Sequence, residues 1–202
     1  PQGAVISPLL SNIYLNPLDQ EMVGAGVEMV RYADDFVLQC QTKEEAEAAL
    51  ERVKAWAAKA GLTLHPEKTR IVDASTETFD FLGYRFGQGK HFPSRKALGK
   101  LKDKVRAQTK RSNGKSLTAI ITELNRALRG WMEYFKHAYR TTFPGLDSWI
   151  RMRLRSILRQ RMKRKGRGRG ADHQRWPNAF FANAGLYSLV AAQQLASQSS
   201  RR

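Results

Sequence analysis

The strongest constraint on the fold of this 202-residue chain is a change in pattern and charge near Pro93. Residues 1–92 carry 9 lysines and arginines against 13 aspartates and glutamates, whereas residues 93–202 carry 26 against 5. The first part alternates short apolar runs with helical patterns, and the second part consists of long, basic helical patterns. The sequence therefore predicts a mixed α/β unit followed by an all-α basic unit, an α+β fold overall.

The first half predicts two helices and several strands. Apolar residues recur at helical spacing from an expected N-cap at Ser7 up to Gly24. Thr42 and Glu45 form a capping-box pattern before a helix that ends at Gly61. The segments VEMVRY and FVLQC predict a β-hairpin, and LTLH, RIVDA and FDFLGYRF predict further strands.

Two adjacent aspartates, Asp34 and Asp35, occur at the predicted hairpin tip, inside the mostly apolar run 29–40. Burying uncompensated carboxylates is costly, so the pair either stabilises an exposed turn or holds a cation. Hard divalent cations such as Mg²⁺ prefer carboxylate oxygens, and a rigid hairpin tip presents them on short side chains. The pair taken alone leaves both interpretations open.

The basic second half indicates a polyanionic partner, because 26 positive charges with 5 negative ones repel one another in a compact fold. Three long helical segments follow Pro93, and apolar stripes along them predict a core. The segment KRKGRGRGADHQRWP predicts a flexible basic linker, and AFFANAGLYSLVAAQQLA predicts one more short helix. Nucleic acid is the partner that this charge distribution favours.

Several other classes of protein are disfavoured. The single cysteine, Cys40, cannot form an internal disulfide, and the four histidines lack the spacing of a zinc site. No apolar run approaches the roughly 20 residues that a bilayer span needs, and the N-terminus lacks a signal-peptide pattern. We therefore expect no membrane partner and a cytoplasmic location.

Four motifs in order, PQG…SPLLSNIYL, YADD, GLTLHPEKT and FDFLGY, resemble the later motifs of a reverse-transcriptase palm. The segment LNRALRGWMEYF resembles the thumb, or maturase-specific region, of group II intron reverse transcriptases. The resemblance covers nearly the whole chain. It implies a partial palm over residues 1–92, a helical thumb over 93–165, and a basic linker with a C-terminal nucleic-acid-binding segment over 166–202.

The resemblance also implies a function: RNA-directed DNA polymerase with intron-splicing maturase activity, using Mg²⁺, an RNA template, a DNA primer and intron RNA. It implies Asp34 and Asp35 as metal ligands and Lys68 as a general acid toward departing pyrophosphate. The residues implied at the nucleotide and template are Gln2, Gly3, Tyr32 and Ala33, and those at the primer are Leu82, Gly83 and Tyr84. The RNA-binding residues expected in the basic half are Arg129, Lys136, Arg140, Arg151, Arg155 and Arg159.

Alternatives from other classes stay open. The family's first catalytic aspartate lies upstream of the PQG motif, so we expect the chain to be a fragment whose metal site lacks one carboxylate and which is inactive alone. The chain would then be a non-catalytic RNA-binding splicing module. A two-metal nuclease is a third possibility, but further carboxylates at suitable positions are missing.

Overall fold

The computed structural model describes residues 5–164, 166, 168 and 170–199. The chain forms two compact units: unit 1 is Pro1–Phe81 with Gly87–Gly89, and unit 2 is Leu82–Phe86 with Lys90–Arg202. In the described part of the chain, every helix is too short or too polar to cross a bilayer. The mixture of helices and small sheets agrees with the predicted α+β class.

Unit 1 contains helix α1 (Ser7–Gly24), strands β1 (Glu28–Tyr32) and β2 (Asp35–Gln39), and helix α2 (Lys43–Lys59). The two strands form an antiparallel hairpin in which Tyr32 is opposite Asp35. One face of the hairpin packs against the two helices, and the other face is largely exposed. The core residues of this unit are Leu18, Met22 and Val53, with Val27, Met29, Phe36, Leu38, Trp56 and Leu64 packed against them.

The sequence predicts both ends of α2 correctly, but it misplaces the N-cap of α1. The Thr42–Glu45 capping box is present: Thr42 Oγ1 accepts a hydrogen bond from the Glu45 amide at 3.2 Å, and the Glu45 carboxylate accepts one from the Thr42 amide at 3.4 Å. Gly61 follows α2 with φ of +69°, as predicted for a C-terminal glycine. In contrast, the N-cap of α1 is Ile6 rather than Ser7, and no side chain caps this helix.

Two predicted strands are absent, because LTLH and RIVDA lie in a strand-free segment between α2 and residue 79. The Asp73 carboxylate accepts hydrogen bonds from the amide and hydroxyl of Ser75 at 2.9 and 2.6 Å, which stabilises a turn there. FDFLGYRF is two strands, β3 (Phe79–Phe81) and β4 (Tyr84–Gly87), separated by a two-residue turn. Strand β5 (Lys90–Pro93) follows a turn at residues 88–89, and the sheet order is β3-β4-β5.

Unit 2 contains the three predicted long helices, α3 (Arg95–Gln108), α4 (Leu117–Phe135) and α5 (Thr142–Arg161). Ser94 and Ser116 cap α3 and α4 through their hydroxyl oxygens, which accept backbone N–H groups at 3.2 and 3.1 Å. The apolar stripes form the core, as predicted. Its fully buried members include Val105, Ile120, Leu124, Leu128, Phe143, Ile150, Leu154 and Ile157.

The C-terminal part differs from the prediction, since its described residues pack into unit 2 as helices α6 (Gly170–Arg175), α7 (Asn178–Asn183) and α8 (Leu189–Ser199). Residues 170–176 are not a flexible linker, because Asp172 and Trp176 are buried. The final apolar stretch forms two helices instead of one. Phe181 and Leu189 from these helices are fully buried in the same core.

Polar side chains of the long helices hold the C-terminal helices in place. Asp147 on α5 is only 4% exposed and accepts hydrogen bonds from Ser188 Oγ at 2.7 Å and from the amides of Leu189 and Val190 at 3.0 and 3.4 Å. This carboxylate therefore caps the beginning of α8 from a different helix. Asn125 on α4 donates to the Gly185 carbonyl at 2.7 Å and accepts from the Tyr187 amide at 2.8 Å.

We predict that Asp147→Asn lowers the free energy of unfolding of unit 2 by about 1–3 kcal/mol, because a neutral amide cannot accept all three hydrogen bonds. Urea unfolding is followed by tryptophan fluorescence in a Trp56→Phe background, which leaves only tryptophans of unit 2. The control is Asp103→Asn, whose exposed ion pair with Arg106 spans one helical turn. This control is expected to stay within about 0.5 kcal/mol of the parent, and equal effects of both variants would contradict the capping role.

Candidate functional site

The predicted metal ligands lie at the exposed tip of the β1–β2 hairpin. Ala33 and Asp34 form the two-residue loop, and Asp35 is the first residue of β2. Both aspartates are solvent-exposed, so the desolvation cost suggested by their apolar sequence neighbours does not arise. Ala33 has φ of +55°, in the left-handed region that is unfavourable for a residue with a Cβ atom. A tight loop therefore leaves both aspartates exposed to solvent at the hairpin tip.

Arg31 on β1 fixes this loop, a role that the sequence analysis missed. Its guanidinium donates to the Ala33 carbonyl at 2.9 Å. It also forms a bidentate ion pair with the Asp19 carboxylate, with hydrogen bonds of 2.7 and 2.5 Å. A further hydrogen bond of 3.0 Å reaches Asn12 Oδ1. The hydrogen bonds and charge of Asp19 raise the pKa of Arg31, which keeps the guanidinium charged. Arg31 thus joins helix α1 directly to the loop that carries Asp34.

The chemistry of the donor set at the tip fits a hard divalent cation. Asp34 and Asp35 supply carboxylate oxygens, and solvent exposure leaves room for the water ligands that Mg²⁺ retains. Within the described residues, no group of three or more histidine, cysteine, aspartate or glutamate side chains is arranged to hold a metal ion. The tip therefore offers two acidic ligands, and the remaining coordination positions are left to water or to substrate oxygens.

The other residues expected around the nucleotide belong to different elements of unit 1. Tyr32 is 68% exposed and lies directly opposite Asp35 in the hairpin register, so both are on the solvent face. Lys68 is exposed in a turn after α2, where its amide donates to the His65 carbonyl at 3.2 Å. No side-chain hydrogen bond or ion pair holds Lys68 within the described part of unit 1. Gln2 and Gly3 lie outside the described residues.

The residues expected to contact the primer form the turn between β3 and β4. Leu82 and Gly83 both have positive φ, +47° and +78°, and a Cβ atom at Gly83 would lie 3.7 Å from the Phe135 ring. The Tyr84 hydroxyl donates to the Tyr134 carbonyl at 2.5 Å. Burial raises the pKa of Tyr84 to about 12, so its hydroxyl is a neutral donor. This turn is therefore shaped by contacts with α4 in unit 2.

The three arginines of α5 that the sequence analysis expected to bind RNA are partly or fully buried. Arg155 is only 3% exposed, donates to the Trp176 carbonyl at 2.9 Å and Asn178 Oδ1 at 3.0 Å, and lies over the Phe181 ring. Arg159 binds the buried Asp172 carboxylate at 2.6 Å. Arg151 is partly buried beside Asp147, with 3.9 Å between charged atoms. Arg155 and Arg159 thus hold the C-terminal helices, whereas Arg151 lies beside an acidic residue of its own helix.

Exposed cations occur on α3 and on α4, partly at positions that the sequence analysis did not single out. Lys96, Lys100 and Lys104 are exposed at intervals of four residues, so they form one column along α3 with a spacing of about 6 Å per step. None of these lysines has an ion pair within the described residues. The four-residue spacing of these lysines in the sequence indicates such a column on a helix.

Among the RNA-binding residues predicted at and beyond α4, exposure varies. Arg129 is exposed, and its guanidinium lies 4.8 Å from the centre of the Tyr187 ring. Lys136 is half-buried and pairs with Glu133 at 2.6 Å. Arg140 is exposed beyond the end of α4. Arg129 and Arg140 are therefore available to a partner in solution.

Comparison with known proteins assigns the two parts of the chain. Residues 1–86 match the family described as reverse transcriptase (RNA-dependent DNA polymerase). Residues 98–176 match the group II intron, maturase-specific domain. The chain belongs to the group II intron reverse transcriptase/maturase family. The reverse-transcriptase match contains the Asp34–Asp35 hairpin, and the maturase match runs from α3 to Trp176.

A curated relative supports the reverse-transcriptase assignment. The chain is 33% identical over 75 residues to the retrovirus-related Pol polyprotein from type-1 retrotransposable element R1 2 of Nasonia vitripennis. The alignment covers 34% of this chain and 18% of that polyprotein. The chain thus corresponds to less than a fifth of the length of this retroelement protein.

We predict that Arg31→Gln frees the loop and lowers the local stability of unit 1 by about 1–3 kcal/mol, because the Asp19 carboxylate and the Ala33 carbonyl lose a charged donor. Native-state hydrogen exchange of unit 1 amides measures the change separately from unit 2. The same substitution at Arg52, which is exposed on α2, is the control and is expected to change stability by less than about 0.5 kcal/mol. Equal exchange in the two variants would refute the role of Arg31.

Proposed function

We propose that this chain is the palm and thumb portion of an RNA-directed DNA polymerase that also acts as an intron-splicing maturase. The observation that carries the proposal is the pair of exposed carboxylates on an Arg31-fixed hairpin, inside the region that matches reverse transcriptases. The maturase-specific match and the excess of positive charge over residues 93–202 support intron RNA as the second ligand.

In this proposal, Asp34 and Asp35 hold Mg²⁺ at the hairpin tip, with Asp34 as the principal ligand. When bound, the ion offsets negative charge on the triphosphate and activates the primer 3′-hydroxyl. The tight loop and the Arg31 hydrogen bond hold the carboxylates in a fixed direction, which limits the reorganisation that metal binding requires. Tyr32 lies beside Asp35 and would border the nucleotide.

Lys68 and the β3–β4 turn have separate proposed roles. The Lys68 ammonium is exposed and without an ion pair in the described part of unit 1, so it is available to neutralise and protonate departing pyrophosphate. The turn at Leu82 and Gly83 would contact the end of the primer, because Gly83 is exposed and lacks a side chain, so a ligand can approach its backbone closely. The role of Lys68 belongs to unit 1, and that of the turn belongs to unit 2.

Nucleic-acid affinity is proposed to reside in exposed cations of unit 2. Phosphate contacts supply most of the affinity of such proteins, and the α3 column of Lys96, Lys100 and Lys104 presents three unpaired charges in a row. Arg129 and Arg140 add exposed guanidinium groups. Arg155 is not included, because its guanidinium is buried in the core of unit 2.

A non-catalytic RNA-binding splicing module is the competing function. It is favoured by the number of acidic ligands at the tip, since the described residues provide two carboxylates and no larger acidic cluster. The two functions differ in one respect: only the polymerase needs the charge of Asp34. The first experiment below separates them.

We predict that Asp34→Asn abolishes DNA synthesis by a polymerase-active protein that contains this chain, while its RNA affinity changes less than about twofold. A neutral amide cannot offset the charge of a cation, whereas affinity depends on the basic unit. Primer extension and filter binding are measured on the same preparation. The control is Asp73→Asn, which changes an exposed carboxylate outside the hairpin. Retained synthesis in Asp34→Asn would refute the metal assignment.

We predict that replacing Lys96, Lys100 and Lys104 together by glutamine makes the salt dependence of RNA binding shallower. Each lost phosphate contact reduces the slope of log K against log salt by about 0.7–0.9, so three contacts reduce it by roughly 2–3. Affinity is measured at several salt concentrations for the 202-residue chain. The control replaces Lys43, Lys54 and Lys59 on α2 in the acidic half. A slope unchanged from the parent would show that the lysine column does not contact phosphate.

A further inference from the structure

The turn between β3 and β4 is held by two hydrogen bonds that run in opposite directions between it and one residue of α4. The Tyr84 hydroxyl donates to the Tyr134 carbonyl at 2.5 Å, and the Tyr134 hydroxyl donates to the Leu82 carbonyl at 2.6 Å. The two rings stack with centres 5.8 Å apart and an angle of 29° between their planes. Residues on both sides of Gly83 are therefore tied to the same turn of helix α4.

The backbone of this turn needs external support. Leu82 and Gly83 both have positive φ, and Leu82 carries a branched side chain in a conformation that such residues rarely adopt. A conformation of this kind persists when the surrounding contacts hold it. The Tyr134 hydroxyl bonds the carbonyl of Leu82 itself, and the rings of Tyr134 and Phe135 lie against Gly83.

Tyr134 differs from its aromatic neighbours in a way that points to this role. Phe135 is buried in the core, whereas Tyr134 is 54% exposed and contributes little to core packing. Its hydroxyl nevertheless has a defined backbone acceptor 52 residues away in the sequence. The side chain thus joins the turn to a helix that also carries the exposed cation Arg129.

We propose that Tyr134 is a positioning residue for the primer end: its hydroxyl fixes the direction of the Leu82–Gly83 turn relative to the nucleic acid that α4 contacts. This inference rests on the proposed function, because the turn is assigned to the primer there. Loss of the Tyr134 hydroxyl removes the hydrogen bond to Leu82, so the turn loosens and the primer end is misplaced. Affinity is kept, because the phosphate contacts of other residues remain intact.

The test compares Tyr134→Phe with Tyr139→Phe in the 202-residue chain. Both substitutions remove one hydroxyl from a tyrosine of unit 2 and keep the ring, and the Tyr139 hydroxyl has no hydrogen bond within the described residues. Backbone order parameters of Leu82 and Gly83 are measured by NMR relaxation. They are expected to stay near 0.85 in the parent and in Tyr139→Phe and to fall toward about 0.6 in Tyr134→Phe.

Placement of the primer is measured separately from affinity. The probe is an RNA–DNA hybrid with a fluorescent purine analogue at the 3′ end of the DNA strand, and a second hybrid carries the analogue at an internal position. Tyr134→Phe is expected to reduce the binding-induced signal at the 3′ end at least threefold, with the internal signal and the affinity within twofold of the parent.

The outcomes separate this inference from the function on which it rests. Unchanged order parameters, or a loosened turn with an unchanged 3′-end signal, would overturn the positioning role. Parallel loss of affinity and of both signals in Tyr134→Phe would also overturn it, since the residue would then be merely structural. A parent chain that does not bind the hybrid would refute the proposed function, and with it the role of the turn, even where the order parameters show the tether.

Discussion

Unit 2 depends on charged groups that are buried on helix α5 or paired with it. Asp147, Arg155 and Asp172 are all almost fully buried, and each is placed against a partner that satisfies its charge or its hydrogen-bonding groups. Breaking a buried pair leaves an uncompensated charge, which is far more destabilising than loss of a surface pair. The C-terminal helices therefore have one arrangement on α5, set by where these groups find partners.

The same constraint explains how a unit with so many positive charges stays compact. Residues 93–202 contain five acidic residues, and every one of them has a cation within ion-pair distance. Two of these carboxylates are buried, so they neutralise arginines that would otherwise repel one another inside the fold. The lysines of α3 remain outside these pairs and keep their charge for a polyanion.

Local signals in the sequence predicted the fold well where they were sufficient by themselves. The α2 capping box and the long apolar stripes of α4 and α5 depend on residues close in sequence, and the structure confirms them. LTLH and RIVDA have strand composition but no partner strand, and strand propensity depends strongly on such context. Residues 170–176 were mistaken for part of a linker, because the partners that order Asp172 and Trp176 lie on α5.

The candidate site was predictable to a similar degree. The hairpin and the adjacent aspartates were evident from the YADD motif and its apolar flanks. The role of Arg31 was not, since its partners Asn12 and Asp19 lie on helix α1, distant in sequence. At α5, the sequence suggested accessible arginines where the structure has buried or partly buried ones. Arg155 and Arg159 were expected to bind RNA, but their acceptors lie at residues 172–178 outside α5, and no local pattern reveals those contacts.

The burial of Trp176, Phe181 and Leu189 in the core of α4 and α5 has a consequence for synthesis of the chain. A ribosome delivers α3, α4 and α5 before these three residues, so the apolar faces of the long helices are at first uncovered. Chains with exposed apolar surface at this stage are prone to aggregation and are recognised by chaperones. The interior of unit 2 closes only when Leu189 has emerged from the exit tunnel, so this unit completes its fold well after its long helices have been synthesised.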